Sequence, residues 1–230
     1  MGYLKYLKKF NESLNESLND IDSICKKYGI KNYTINNDGS IDVVGNVDLN
    51  DMGLSKLPLK FRSVSGYFDC QYNQLTTLEG APELVDGDFY CVNNKLTTLR
   101  GAPKSVGGDF DCYINQLTSL EGAPKSVGGD FNCFINKLTT LEGAPESVDR
   151  DFDCSINQLT SLHGGPRSVG RDFHCENNQL TSLEGAPEFL GRDFYCDGNP
   201  VESIWNLFND YSKVEILNDY DVIRGDKVVL

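Results

Sequence analysis

Long apolar stretches are missing from this sequence. The 230-residue chain has no run of 18 or more apolar residues, so no transmembrane helix is predicted. Its opening residues, MGYLKYLKKFNESLNESLND, contain neither a continuous apolar segment nor a small-residue cleavage site, so no secretory signal peptide is predicted. We therefore expect a cytoplasmic location.

Basic residues are also in short supply. The chain holds 21 Lys and Arg against 34 Asp and Glu, which gives a formal net charge of −13 at pH 7. Phosphate groups bind to basic patches, so this balance argues against direct binding to nucleic acid or to an anionic membrane. The negative field favours a partner with a basic surface.

What the chain does contain is a repeat of 21 residues without insertions. Phe recurs seven times from Phe68 to Phe194, with Cys two residues later and Asn three residues after each Cys. The unit is F-x-C-x-x-N-x-L-T-x-L-x-G-x-P-x-x-V-x-x-D, and a degenerate copy with Val47 and Leu49 in the Phe and Cys positions precedes the seven. A fixed period of this length predicts a solenoid.

The repeat has a recognisable core motif. The segment F-x-C-x-x-N-x-L resembles the L-x-L-x-x-N/C-x-L core of leucine-rich repeats, with Phe and Cys in two leucine positions, and it covers roughly residues 44–204. One leucine of the usual motif is replaced by Gly107 and its equivalents. The whole chain is similar to leucine-rich-repeat proteins found in bacteriophage and bacterial genomes. The resemblance implies a parallel β-sheet on the concave face and a phage origin.

The residues of one coil predict its course. In Asp-Phe-Asp-Cys-Tyr, Phe110 and Cys112 point into the core while Asp111 and Tyr113 point outward. The Gly and Pro of L-E-G-A-P exclude a regular helix on the return path. We therefore expect a short, helix-free convex side and parallel strands that stack at about 4.8 Å.

The regular cysteines admit three interpretations. Each one fits as a small apolar residue stacked in the core. A disulfide ladder is geometrically feasible, but seven cysteines in an unbroken row in a cytoplasmic protein argue against it. A metal cluster needs converging ligands, whereas this row spreads over roughly 29 Å. We predict structural packing, and we predict that the Asn row satisfies buried backbone groups.

A solenoid exposes its core at both ends and needs caps. We assign residues 1–43 to an N-terminal cap, residues 44–199 to the repeats and residues 200–230 to a C-terminal cap. The N-terminal cap is predicted as an amphipathic helix, which could instead dock a membrane or a partner, and a β-hairpin around Asn37-Asp38-Gly39. The C-terminal cap is predicted as a short helix followed by a hairpin. The apolar faces of the two helices are formed by Leu4, Leu7, Phe10, Leu14, Leu18, Ile21 and Ile24, and by Val201, Ile204, Trp205 and Phe208.

The outward positions after each Phe and each Cys vary from coil to coil and are rich in aromatic residues. Tyr and Phe provide contact area at a low cost in entropy, so these positions predict a partner-binding face. An alternative is that outward residues vary because nothing constrains them. The predicted binding residues are Tyr90, Tyr113, Phe134 and Tyr195 as anchors, with Asp69, Asp111, Asp153, His174 and Glu176 around them.

The residue before each Phe, in contrast, is always acidic in six successive coils. Like charges at coil spacing repel unless a cation, a basic partner or backbone donors compensate. One interpretation is a turn role, in which each Asp bonds to its own turn; the other is an acidic ladder that grips a basic partner. The acidic ladder consists of Asp88, Asp109, Asp130, Asp151, Asp172 and Asp193.

Histidine is nearly absent, with His163 and His174 in different positions of different coils. The sequence therefore sets up no Cys–His or Ser–His pair, and every regular Cys faces inward. We expect no enzyme, no catalytic residue, no cofactor and no metal.

The leading hypothesis is a non-enzymatic, phage-encoded module whose concave acidic and aromatic face binds a host protein, for example one of a defence system, and inhibits or sequesters it in the host cytoplasm. The expected partner is a protein with a basic surface. Two alternatives stay open: an acidic nucleic-acid mimic that blocks a nucleic-acid-binding enzyme, and a solenoid that binds a small ligand or cation.

Overall fold

The chain forms a solenoid of parallel strands. A computed structural model describes residues 20–200 and the backbone of two further strands at 222–224 and 227–229. Helix α1 is described over residues 20–27 and is the one helix among these residues. The strands are β1 (Tyr33–Ile35), β2 (Ile41–Val43), β3 (Val47–Asp48), β4 (Phe61–Val64), β5 (Phe68–Asp69), β6 (Leu84–Val85), β7 (Phe89–Tyr90), β8 (Ser105–Val106), β9 (Phe110–Asp111), β10 (Ser126–Val127), β11 (Phe131–Asn132), β12 (Ser147–Val148), β13 (Phe152–Asp153), β14 (Ser168–Val169), β15 (Phe173–His174), β16 (Phe189–Leu190), β17 (Phe194–Tyr195), β18 (Val222–Arg224) and β19 (Lys227–Val229).

Each coil contributes one strand to each of two sheets. The Phe sheet has ten strands in the order β19-β18-β17-β15-β13-β11-β9-β7-β5-β3, and the Val sheet has nine in the order β1-β2-β4-β6-β8-β10-β12-β14-β16. The register is one full repeat: Phe131 pairs with Phe110 and Phe152, and Val127 pairs in the same way with its equivalents. The prediction of a repeat solenoid with parallel strands is confirmed.

The sequence predicts one parallel sheet, and the Val sheet corrects this expectation. Its regular strands are only two residues long, and residues 107–109 separate β8 from β9. Two residues are too few to show the alternation by which a strand is recognised. The second sheet therefore arises from the stacking of coils rather than from a local strand signal.

The core is a set of identical rows. Six consecutive Phe pairs from Phe68 to Phe194 are stacked with ring centroids 5.2–5.4 Å apart. The cysteines form a parallel row, and all eight in the chain are buried thiols. The predicted structural role of the cysteines is confirmed by this burial. Leu and Val rows complete the core.

The Asn row binds neighbouring coils together, as predicted. Asn115 is typical: its Nδ2 donates to the carbonyl oxygens of Cys112 at 3.1 Å and of Cys91 in the preceding coil at 3.0 Å, while its Oδ1 accepts from the amide of Leu96 at 3.0 Å. The same three partners recur for the other Asn residues of the row. These bonds satisfy backbone groups that the short strands leave unpaired.

The Gly of L-E-G-A-P is needed for two reasons. Gly143 has a φ of 93°, in the region that favours glycine. A Cβ atom there would lie 2.6 Å from the backbone of residues 120 and 121 in the preceding coil. The glycine therefore allows neighbouring coils to approach closely on the return path.

At the N-terminal side, β1 and β2 form an antiparallel hairpin, and β2 joins β4 in parallel. Ile21 and Cys25 of α1 are buried against this end of the core. At the other side, β18 pairs in parallel with β17, and β19 returns antiparallel to β18. The rest of the predicted cap helices, residues 1–19 and 201–221, lies outside the described residues.

In the part of the chain that the structure describes, there is no helix with the length and apolar character needed to cross a bilayer.

Candidate functional site

The candidate site is the outward face of the Phe sheet. The strand pairing sets the residues after Phe beside one another, so that Tyr90 lies between Asp69 and Asp111, and His174 lies between Asp153 and Tyr195. The residues after Cys form a second column alongside. The sequence pattern placed these residues on one face, and the register orders them along it.

The predicted aromatic anchors form three groups rather than one patch. Tyr113 and Phe134 stack with ring centroids 4.2 Å apart at an interplanar angle of 11°. Tyr195 stacks on His174 at 4.4 Å and 1°. Tyr90 lies in the other column from Tyr113, packs against Tyr67 at 6.5 Å and donates its hydroxyl to Asp88 Oδ2 at 2.8 Å. The stacked Tyr113–Phe134 pair is therefore the flat aromatic surface at the middle of the face.

The acidic residues on this face differ in accessibility. Asp69 is only 8% exposed, and it accepts hydrogen bonds from the backbone and side chain of Gln71. Asp111 and Asp153 are half-buried, and burial raises the pKa of both carboxyls. Asp69 is thus poorly placed to contact a partner, whereas the other two present a partly desolvated negative charge.

Asp111 carries the clearest electrostatic signal. Burial, together with the charges of Asp109, Asp130 and Asp88, raises its pKa to about 6, although Asn132 Nδ2 donates to its Oδ1 at 2.7 Å. A carboxylate that is costly to keep charged in the folded state is an electrostatic strain that a cationic partner would relieve.

The Asp111 carboxyl gives a pH-dependent prediction. Its folded pKa lies above the usual unfolded value of about 3.9, so its contribution to stability is greatest below about pH 4 and is lost as the pH rises towards 6. We expect Asp111→Asn to raise the free energy of unfolding at pH 7 by about 2–3 kcal/mol and to flatten its pH dependence between about pH 4 and 6. Urea unfolding at a series of pH values measures both effects.

The exposed Asp86 is a matched control for that experiment. Asp86→Asn removes the same charge from the chain without removing a buried carboxyl. An equal gain in stability from both variants would attribute the effect to net charge and contradict the assignment to Asp111.

The acidic ladder is bonded from coil to coil. Oδ1 of Asp88 accepts from the backbone amide of Asp109 at 2.9 Å, and the same bond recurs four more times at 2.8–3.1 Å up to Asp193. The turn interpretation expected each donor to belong to the same turn as the Asp that it binds. In the structure the donor belongs to the next coil instead. Backbone donors therefore offset part of the repulsion between these carboxylates.

His174 and Glu176 make a polar group at one end of the face. His174 Nδ1 lies 3.2 Å from Glu176 Oε1. Burial acts to lower the pKa of His174, but the hydrogen bond and charge of Glu176 and the charges of Asp153 and Asp172 outweigh it, so the pKa is raised. Glu176 Oε2 is buried without a hydrogen-bond partner among the described residues.

A row of exposed isoleucines at the edge of this face was not predicted from the sequence. Ile114, Ile135 and Ile156 precede the Asn of three consecutive coils and are 39%, 39% and 48% exposed. Their φ angles of 53°, 50° and 52° lie in the left-handed region. The signal was present in the repeat, because two other coils have Asn93 and Asn177 at this position, and Asn tolerates such a backbone.

Within the described residues, no group of three or more His, Cys, Asp and Glu is arranged to hold a metal ion. In the comparisons with known proteins, no family model and no curated protein matches this chain.

Proposed function

We propose that this chain is a capped leucine-rich-repeat protein of bacteriophage origin, and that the outward face of its Phe sheet is the concave face and binds a host protein with a basic surface. Binding would inhibit or sequester that host protein in the host cytoplasm. The observation that carries the proposal is the Tyr113–Phe134 stack at 4.2 Å beside the half-buried carboxyl of Asp111.

The stack suits an interface because it is rigid before binding. Two stacked rings lose little further freedom when a partner covers them, which leaves more of the contact energy for affinity. Each ring lies close to a strand, since Tyr113 and Phe134 follow the last residues of β9 and β11 by two positions. A rigid aromatic patch of this kind is typical of the residues that dominate binding energy.

The charges around the stack select the kind of partner. The chain carries a net charge of −13, which speeds the encounter with a basic protein and repels acidic ones. At the contact itself, the raised pKa values of Asp111 and Asp153 mean that a basic side chain would stabilise carboxylates that now lack sufficient solvation.

The test is affinity capture from bacterial lysate by the tagged protein and by a Tyr113→Ser/Phe134→Ser variant. We expect one stoichiometric partner with the parent and at least about a tenfold loss with the variant, while the melting temperature changes by only a few degrees because one ring stack is lost. Mass spectrometry and quantitative blotting measure both amounts.

Phe189 supplies the matched control for this capture. It lies on the Val sheet and is 57% exposed, so Phe189→Ser also removes an exposed ring but leaves the Phe sheet intact. The control should retain the partner. Equal capture by the parent and the double variant would overturn the proposed binding face.

Acidic mimicry of nucleic acid is the less favoured function. Each carboxylate of the acidic ladder from Asp88 to Asp172 already accepts a backbone hydrogen bond, whereas a phosphate mimic needs accessible oxygens. A salt titration of the captured complex separates the two functions, because mimicry gives a steep loss of affinity with salt and an aromatic contact gives a shallow one.

A further inference from the structure

We infer that Ile114, Ile135 and Ile156 form a docking strip for an amphipathic α-helix with basic flanks, contributed by the partner protein. The inference rests on the proposed protein-binding function and specifies the element of the partner that makes contact. We call these three residues the Ile strip.

The Ile strip is an exposed apolar row in a strongly charged protein. The three side chains are 39–48% exposed on consecutive coils. Two of them directly follow Tyr113 and Phe134 in the chain, so the strip borders the aromatic stack. Together they make a continuous apolar surface on the middle coils, and contiguous surfaces of this kind mark interaction sites more often than scattered residues do.

Backbone conformation argues independently that the isoleucines are there for a reason other than folding. A β-branched residue with positive φ is a genuine outlier, and such strain persists mostly at functional sites. In other coils the same position holds Asp51, Asn93, Asn177 and Gly198, whose φ angles are 50–70° and which adopt this conformation easily. The remaining coil holds Tyr72, which is also exposed. The middle coils instead carry a residue that neither the backbone nor the solvent favours.

The spacing of the strip fits a helix. Neighbouring coils are about 4.8 Å apart, and an α-helix rises about 5.4 Å per turn. A helix lying along the solenoid axis would therefore place residues i, i+3 or i+4, and i+7 over the three isoleucines, with a total mismatch of about 0.9 Å. A β-strand places side chains of one face about 6.6 Å apart and would be out of step by the third coil.

The charges around the strip favour basic flanks on that helix. Beyond the aromatic stack lie the half-buried carboxyls of Asp111 and Asp153, which would face the side of the helix that overhangs the sheet. The other side of the strip carries exposed Gln116 and Lys137, which bond to each other at 3.4 Å. A second copy of this chain carries the same net charge of −13, which opposes its docking here.

Two fluorescein-labelled peptides of identical Leu, Lys and Gln composition test the inference. One has Leu at i, i+3, i+4 and i+7, and the other alternates Leu with polar residues. By fluorescence anisotropy at physiological salt, we expect the helical peptide to bind the parent protein at least about tenfold more tightly than the alternating one. An Ile114→Asn/Ile135→Asn/Ile156→Asn variant should lose at least about tenfold in affinity for it.

The same variant has a stability readout that guards against misfolding. Asn relieves the left-handed strain, so the variant should melt at a higher temperature than the parent protein. A lower melting temperature would show that the isoleucines support the fold and would overturn the strip. Three other results would also overturn the strip: equal affinities for the two peptides, unchanged affinity in the variant, or a parent dimer that the variant converts to a monomer.

The outcome can be separated from that of the proposed function. If the partner captured from lysate is lost by Tyr113→Ser/Phe134→Ser but retained by the three Ile→Asn substitutions, the binding face stands and the strip is overturned. Loss of the captured partner by both variants supports both the proposed binding face and the strip. A photo-crosslinker on the central Leu of the helical peptide should attach to residues 113–116, 134–137 or 155–158, and attachment elsewhere would overturn the strip.

Discussion

Phe131→Ala is expected to lower the free energy of unfolding by about 3–5 kcal/mol. Phe131 is 0% exposed and stacks on Phe110 at 5.2 Å and on Phe152 at 5.3 Å. Truncation removes both ring contacts and leaves a cavity that its neighbours cannot fill, because they are held at coil spacing by the backbone. Urea unfolding followed by circular dichroism measures the loss.

The position of Phe131 adds a second expected result. In a solenoid each coil contacts only its neighbours, so a weakened middle coil uncouples the two halves. The unfolding transition should therefore broaden as well as shift. Phe189→Ala is the control, because this ring is 57% exposed and its loss should cost less than about 0.5 kcal/mol. Equal losses from the two variants would contradict the buried Phe row as the main source of stability.

Asn115→Ala should lower the free energy of unfolding by about 2 kcal/mol or more, although it removes a polar side chain. Asn115 Nδ2 bonds to the carbonyl oxygens of Cys91 and Cys112, and its Oδ1 bonds to the amide of Leu96, all at 3.0–3.1 Å. Alanine leaves the buried amide of Leu96 without a partner, which costs about 1–3 kcal/mol. It also removes one of the two hydrogen bonds that each carbonyl accepts, since Cys91 still accepts from Asn94 and Cys112 from Asn136. The free energy of unfolding in urea again gives the value.

Gln116→Ala is the matched control for Asn115→Ala. Gln116 is the next residue and has the same amide group, but it is exposed and accepts only a 3.4 Å bond from Lys137. We expect its loss to change stability by less than about 0.5 kcal/mol. A comparable cost at both positions would mean that the Asn row does not hold the coils together.

The periodicity made the solenoid and its core predictable from the sequence. Phe110 and Cys112 point inward because residues two apart in a strand share a face, and the repeat multiplies that one inference across seven coils. The Val sheet was not predictable in this way. Its strands of two residues exist because neighbouring coils pair, and pairing is a property of the stack rather than of the local sequence.

The sequence predicted which residues share the face of the candidate site, but not how their side chains pair or how deeply they are buried. Alternation placed Tyr90, Tyr113 and Phe134 outward, yet the structure separates Tyr90 from the other two because it lies in a different column. Asp69 is buried and accepts hydrogen bonds from Gln71, and alternation alone does not reveal either property. The strain at Ile114 is visible only in a backbone angle, although the Asn at the same position of other coils marks the place.

The buried cysteine row gives almost every coil its own chemical reporter. Burial raises the pKa of the thiols from Cys91 to Cys175 well above the usual value, and each is 0% exposed. A reagent that attacks thiolates therefore reaches a given cysteine only when its coil opens. Labelling rates measured cysteine by cysteine would chart opening along the axis and distinguish a solenoid that frays from its ends from one that melts as a unit.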